Sequence, residues 1–449
     1  MALPMLKPDQ QRWYERPWNI FWVALGLRIV AILIGHTYRA SLEDHQFKFG
    51  YEAGRIARSV ALGRGYSSPF NGDSGPSAWL PPLFTLLMAA AFKVFGVYTK
   101  ASAFVVMAAD SVFSALIAPA VYEIGRRCFD ADGLVRRRSG MAAPVAVWSA
   151  WVWAVYPAFL QYAVHWLWEM SLSTCLLAWA LVVALRLRRV GEADGENAGS
   201  QWGLWAAFGM LWGLEAQSNT TLLIVLPFAL AWVLWPCVFG DRRGLGKTVA
   251  GAVLSCLLVG AVMTPWIVRN ERVMHAFIPA RSNFGIEFWN ATEWSHGAFP
   301  WGTAVPLSAA DPEFKLFARM GEVKYAKMRS EEAKANIRAN PGEYVRDTAL
   351  RTQFFWFIWP HPMDSKPVSE EIRQLNYGVL SVTGLLGLLL ALRRRVRGAW
   401  LMFWVMMLIP LPYYLVTVQA RFRHPMEPVI CVLTVYLLRA TEKRRLVRG

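Results

Sequence analysis

The feature that most restricts this chain is a series of apolar runs, several approaching the ~20 residues a helix needs to cross a ~30 Å hydrocarbon core. Short arginine clusters punctuate them. Such runs predict a polytopic, all-α membrane protein. Composition agrees: of 449 residues 55% are hydrophobic and only 17% charged, less charge than a soluble domain of this length carries. The formal net charge of +16 could suggest nucleic acid. Much of the excess, however, sits beside apolar runs, at Arg136 to Arg138, Arg186 to Arg189, Arg242-Arg243, Arg393 to Arg397 and Lys443 to Arg448. That is how cytoplasmic loops are marked under the positive-inside rule, so membrane lipid is the expected partner and nucleic acid is not.

Holding those clusters inside gives about ten spans, with both termini cytoplasmic. The first is roughly 17–36, expected to be a retained span because no small-residue cleavage site follows it. Arg28, inside it, is expected to snorkel or to pair with a neighbouring helix. The others are 103–124, 142–158, 167–185, a pair of short helices within 202–235, 248–268, 375–392, 399–418 and 429–438. The polar tip of the pair, Glu215 to Asn219, is expected to face outward. Stretch 81–96 is short, opens with Pro81-Pro82 and is broken by Lys93. A full crossing there would deliver Arg126, Arg127 and Arg136 to Arg138 to the outside, so a re-entrant or juxtamembrane helix is expected. Its prolines suit a first helical turn.

The chain accordingly divides into a transmembrane catalytic module (1–268, including a first extracytoplasmic loop, 38–102), a second extracytoplasmic loop (269–373) and C-terminal helices (374–449). The second loop places Phe314, Phe317, Met320 and Val323 at helical spacing among charges, predicting an amphipathic helix on the membrane or on the protein. Five cysteines (Cys128, Cys175, Cys237, Cys256, Cys431) are scattered without a CxxC, suggesting neither a metal cluster nor a disulfide framework. GxxxxGK[ST], HExxH and GxSxG motifs are absent, which leaves nucleotide hydrolysis, zinc proteolysis and elbow-type serine hydrolysis without support.

Three charged sets meet on the outer face of this topology. The first loop holds Glu43, Asp44, His45, Glu52, Arg55 and Arg58; the stretch after TPWIVRN holds Arg269, Asn270, Arg281, Asn283 and Glu287; QARFRHP holds Arg421, Arg423 and His424. Carboxylates beside arginines suit a phosphate-bearing substrate with a proton to remove. Guanidinium forks bind phosphate oxygens, and a carboxylate serves as general base. Taken singly, each arginine set could instead anchor to anionic lipid head groups. Glu52 and Arg55 fall together on a short predicted helix with Tyr51, Ile56 and Val60, whereas Glu43 and Asp44 sit in a polar turn. Glu169, with His165 one turn earlier, lies near the outer end of a span and could line the same cavity or pair with an arginine. Trp79, Trp166, Trp168, Trp289 and Trp294 are expected in the interfacial aromatic belt.

Gly54-Arg55-Ile56-Ala57-Arg58, then GRGYSSP, Pro81-Pro82-Leu83 and Phe92-Lys93-Val94-Phe95-Gly96 resemble the first extracytoplasmic loop of GT-C glycosyltransferases. The resemblance is to the bacterial branch of protein O-mannosyltransferases and the lipid A aminoarabinose transferase. TPWIVRN continuing to IPARSNFGIEFWN, and ARFRHPMEP, resemble that branch as well. The resemblance implies a GT-C-like architecture in a bacterial inner membrane and transfer of a sugar from a polyprenyl-phosphate donor to an acceptor at the outer face. It further implies a first-loop acid as catalytic base and later arginines on the lipid phosphate. Phe49 and Gly50 stand where the family has an acidic pair, so the base is Glu52 or Asp44; Trp79-Leu80 replace a basic residue before the Pro-Pro pair. No cofactor is required by the pattern, although clustered carboxylates could hold a divalent cation. The rival readings are a transporter or flippase for a lipid-linked or anionic solute, and a homologue that binds the lipid-linked sugar without transferring it. A transporter more often shows paired half-sequences and broken helices near mid-membrane.

Overall fold

The computed structural model describes residues 12–39, 49–130, 144–192, 201–240, 244–292, 298, 309–358 and 367–441. Glu43, Asp44, His45, Trp294 and the basic clusters at 136–138, 242–243 and 443–448 lie outside them. Among the described residues there are helices and no strand, only an isolated bridge between Ser67 and Pro76. Helices suit a bilayer because each satisfies its own backbone hydrogen bonds.

In chain order the helices are α1 (Pro17–Gly35), α2 (Glu52–Ala61), α3 (Pro82–Phe95), α4 (Lys100–Gly125), α5 (Val145–Val155) and α6 (Pro157–Val164). Then come α7 (Met170–Leu187), α8 (Gln201–Ala216), α9 (Leu226–Phe239), α10 (Leu245–Met274), α11 (Phe284–Asn290) and α12 (Pro312–Met320). The last six are α13 (Glu322–Ala339), α14 (Pro341–Phe357), α15 (Pro367–Arg393), α16 (Ala399–Leu408), α17 (Pro410–Leu415) and α18 (Glu427–Thr441). Six helical stretches among the described residues are long and apolar enough to cross a membrane: 17–35, 100–130, 170–187, 220–239, 245–274 and 371–393. The chain is an integral membrane protein. Shorter apolar helices occupy 82–95, 145–155 and 399–415. The expected span 142–158 breaks at Tyr156, because Pro157 disfavours helical geometry in the residue before it and opens α6 instead.

The expected short helix at 81–96 forms as α3, with Pro81 as its N-cap and Gly96 ending it at φ +90°. Its 14 residues reach about 21 Å at 1.5 Å each, short of the hydrocarbon core. The amide of Leu83, in its first turn, donates to the Gln217 carbonyl (2.9 Å), and the Gln217 side chain donates to the Val262 carbonyl (3.2 Å). This docks α3 on the corner after α8, which is itself tied to α10. The 202–235 run does split into two helices, parted at Gln217 to Asn219 and a 3-10 turn at Thr220–Val225. Helix α8 lies close on α10: a methyl at Gly209 would come 2.6 Å from the Ser255 carbonyl oxygen, so only the bare backbone fits.

Arg28 pairs with neighbouring helices. Its guanidinium donates to Ser114 Oγ (2.9 Å) and to the carbonyls of Ala24, Ala154 and Trp153, joining α1, α4 and α5. The amphipathic segment of the second loop packs on the protein. Phe314 and Phe317 of α12 enter a cluster with Ile56, Tyr66, Phe70, Trp79, Trp266 and Tyr325, so both loops share one aromatic core. The rings of Phe70 and Trp79 meet edge-on at 4.8 Å, as do those of Tyr66 and Trp266. Trp79 and Trp289 are therefore interior side chains, not belt residues: the shared core of the two loops covers Trp79, and the Arg329 guanidinium lies over the Trp289 ring.

Candidate active site

The site begins at a sharp corner before α2. Gly50 has φ +71°, and a methyl there would lie 2.3 Å from the Leu167 carbonyl oxygen. Tyr51 follows at φ 48°, ψ −98°, a conformation costly for a side-chain-bearing residue and characteristic of sites whose surroundings over-determine the backbone. Gly54 closes the corner, since a methyl on it would meet the Phe49 carbonyl at 2.3 Å. Glu52 becomes the first residue of α2, facing a cavity of about 320 Å³.

Three carboxylates line that cavity, each delivered by a different element: Glu52 by α2, Glu169 by the N-cap of α7, and Glu287 by α11. Two arginines face them. Arg281 precedes α11, and Arg421 lies in the 3-10 turn leading to α18. Burial raises all three carboxyls above their ordinary range, Glu52 to about 7. Arg421 opposes that rise at all three, Arg281 opposes it at Glu169 and Glu287, and the charge of Glu287 adds to it at Glu52. The five groups thus form one electrostatic unit.

The arginines are held by neutral partners, leaving their charge to the cavity. The Arg421 guanidinium lies 4.1 Å over the Trp168 ring and 5.2 Å from Phe422. Arg281 donates to Thr221 Oγ1 at 3.3 Å. Asn283 contributes a buried Oδ1 that accepts no hydrogen bond among the described residues. Trp79, Tyr413 and the 219–221 corner complete the walls.

Of the residues the sequence singled out, Glu52, Glu169, Arg281, Asn283, Glu287 and Arg421 are brought together here. Tyr51 and Arg55 sit directly behind Glu52, with the Arg55 guanidinium 4.1 Å over the Tyr51 ring. Four lie elsewhere. Arg58 lines a separate cavity of about 180 Å³ with Arg64 and Asn71, because it projects from the far turn of α2. Arg269 donates to the carbonyls of Ser77 and Tyr66, both at 2.6 Å, so its fork is taken up by first-loop backbone. Arg423 is enclosed by Glu427 (2.5 Å), Ser381 Oγ (2.6 Å) and the carbonyls of Trp356 and Tyr377. His424 is buried between Trp153 and Tyr162. Asp44 lies outside the described residues.

Trp168, Thr221 and Tyr413 were not anticipated as cavity residues. Only Trp168 carried a signal, its place beside Glu169. Among the described residues no three His, Cys, Asp or Glu side chains converge closely enough to hold a cation.

An all-helical membrane body with an acid-and-arginine cavity assembled from separate loops has the fold of the GT-C membrane glycosyltransferases. In particular, 95% of the chain matches a crystal structure of the Archaeoglobus fulgidus oligosaccharyltransferase tethered with an acceptor peptide containing the NVT sequon, at 18% identity and a TM-score of 0.50. The match covers 50% of that protein, so the chain spans about half its length. The Archaeoglobus fulgidus oligosaccharyltransferase AglB in complex with an inhibitory peptide and a dolichol-phosphate matches 92% of the chain over 50% of its own, at 17% identity and a TM-score of 0.49. ArnT from Cupriavidus metallidurans bound to undecaprenyl phosphate matches 93% of the chain over 77% of its own, at 14% identity and a TM-score of 0.38. No family model and no curated protein sequence matches the chain.

Proposed function

We propose that this protein is an inverting glycosyltransferase. It moves a sugar from a polyprenyl-phosphate-linked donor to an acceptor at the extracytoplasmic face of a bacterial inner membrane, with α3 dipping into or lying against that face. The observation that carries this reading is the cavity shared by Glu52, Glu169, Glu287, Arg281 and Arg421. Glu52 has the properties of a general base: it lies at the cavity wall, and burial pushes its carboxyl up to about 7, near neutral pH.

Glu52 takes the proton from an acceptor hydroxyl or amine. The freed lone pair forms the new bond to the anomeric carbon as the bond from that carbon to the phosphate oxygen breaks. Polyprenyl phosphate leaves with the electron pair. Its added negative charge needs neutralising more than it needs a proton, and Arg421 and Arg281, pre-positioned by Trp168 and Thr221, supply positive charge there. Glu169 and Glu287, whose carboxyls feel the charge of both arginines, offer acceptors for sugar hydroxyls.

The test is transfer of radiolabelled sugar from a panel of polyprenyl-phosphate sugars to cell-envelope extract, with wild type and Glu52→Gln compared. Loss of transfer in a folded Glu52→Gln protein supports the assignment. Undiminished turnover in that variant removes Glu52 as the base, and absence of transfer by wild type from every donor removes the enzyme reading.

A further inference from the structure

Outside the cavity, one carboxylate ties together three separate parts of the chain. Glu322, first residue of α13, is 3% exposed. One of its oxygens accepts from Ser77 Oγ (2.6 Å); the other accepts from the Ala78 amide (2.7 Å) and from Ser282 Oγ. The two segments it grips also bond to each other, the Ser282 amide donating to the Ala78 carbonyl at 2.9 Å. Arg269 closes the arrangement from α10 by holding the Ser77 and Tyr66 carbonyls. The residues beside these contacts are cavity walls. Trp79 and Leu80 follow Ala78, while Arg281 and Asn283 flank Ser282.

We infer that Glu322 is a positioning residue that staples the first loop to the 280–283 segment and so sets the placement of Trp79, Arg281 and Asn283 around the substrate. The consequence for substrate binding rests on the glycosyltransferase reading; the staple does not. A buried carboxylate accepting three hydrogen bonds is stronger and more directional than neutral contacts. Losing it leaves the walls in their working arrangement for only a fraction of the time. Apparent affinity falls by that fraction, whereas the bound complex, once formed, reacts as before. Positioning therefore raises KM and leaves kcat, which distinguishes it from contact with the reacting atoms.

The experiment uses the full-length protein in nanodiscs. Glu322→Gln keeps the side-chain volume while leaving one neutral acceptor oxygen in place of two charged ones. A Ser77→Ala, Ser282→Ala double variant removes the hydroxyl donors with Glu322 in place, should the first variant fold poorly. Amide hydrogen exchange is followed in peptides covering 66–80 and 278–286, together with binding of undecaprenyl phosphate and, where transfer is measurable, KM and kcat. The expected result is faster exchange in both segments, undecaprenyl phosphate affinity weaker by about tenfold, KM raised by a similar factor and kcat within about threefold of wild type. Glu322→Asp should recover part of each effect. Unchanged exchange at both segments overturns the staple. Faster exchange with wild-type affinity and KM overturns its role in the cavity, and a collapse of kcat at unchanged KM overturns positioning in favour of direct chemistry. If the wild type transfers no sugar and binds no undecaprenyl phosphate, the proposed function fails, while exchange at Trp79 to Leu80 and 280–283 still decides whether Glu322 sets those walls.

Discussion

Arg421 and Arg423 are two residues apart in one 3-10 turn, yet they belong to different regions of the molecule. Arg423 points into the helix bundle, where Glu427, Ser381 and two carbonyls take up its donors and the Tyr377 ring lies 4.3 Å away. Arg421 points into the cavity, with its face on Trp168 and its charge felt by three carboxyls. The same contrast separates Glu427, ion-paired inside the bundle, from Glu52, Glu169 and Glu287 at the cavity. A buried charge supplied with its own partner is committed to the packing, since removing either partner strands the other. One whose neighbours are aromatic faces or like charges around an opening is available to a ligand.

The comparison is broken most readily at its catalytic end. Glu52→Gln should lower transfer by about 10²–10⁴-fold, the range contributed by a general base, with a thermal unfolding midpoint close to wild type. If transfer and stability fall together, Glu52 belongs with the bundle charges. At the structural end, Arg423→Ala should cost about 3–5 kcal/mol by stranding Glu427 in an apolar interior, seen as a lower unfolding midpoint and poor yield from detergent. An Arg423→Ala protein of wild-type stability would erase the distinction. Arg421→Ala should do the reverse: kcat/KM down on the order of 10²-fold, as when one charge-stabilising donor is removed from a transition state, with stability barely altered.

The pH dependence sharpens the same contrast. As the proposed base, Glu52 works only when ionised, and burial pushes its carboxyl up to about 7, so the transfer rate should be full above that pH and fall as pH drops through it. Arg421 lowers the Glu52 carboxyl, so Arg421→Ala should move the midpoint of that profile upward. A conservative change inside the bundle, Arg423→Lys, should leave the midpoint where it is. The smallest effect is expected at Trp168→Ala. Losing a cation–π contact of about 1 kcal/mol frees Arg421 to wander, lowering kcat/KM by about fivefold without changing the pH midpoint by a comparable amount.

The amino-acid sequence alone determined the class of this protein. Apolar runs bounded by arginines leave helices in a membrane as the outcome, because a backbone in hydrocarbon must satisfy its own hydrogen bonds. Local signals went further where one short stretch sufficed. Pro81-Pro82 opens a short helix that ends at Gly96, and Glu52 with Arg55 shares a short helix, whereas the break at Pro157 fell inside an expected span. Sequence also collected Glu52, Glu169, Arg281, Asn283, Glu287 and Arg421 as candidates, because carboxylates and arginines gathered on one face of the topology suit a phosphate-bearing substrate. It could not sort them from Arg269, Arg423 and His424, which share the same motifs and composition. That sorting depends on which way each side chain turns from its helix and on which carbonyls lie within about 3 Å of it, distances set by segments up to two hundred residues away. Glu322 is the extreme case. In GEVKYAKM it reads as one more charge on an amphipathic helix, and only the meeting of Ser77, Ala78 and Ser282 around it, 245 and 40 residues distant for the two serines, makes it a staple. Periodicity and charge are properties of neighbouring residues and survive in a string of letters; the partner of a buried charge is a property of the packed chain.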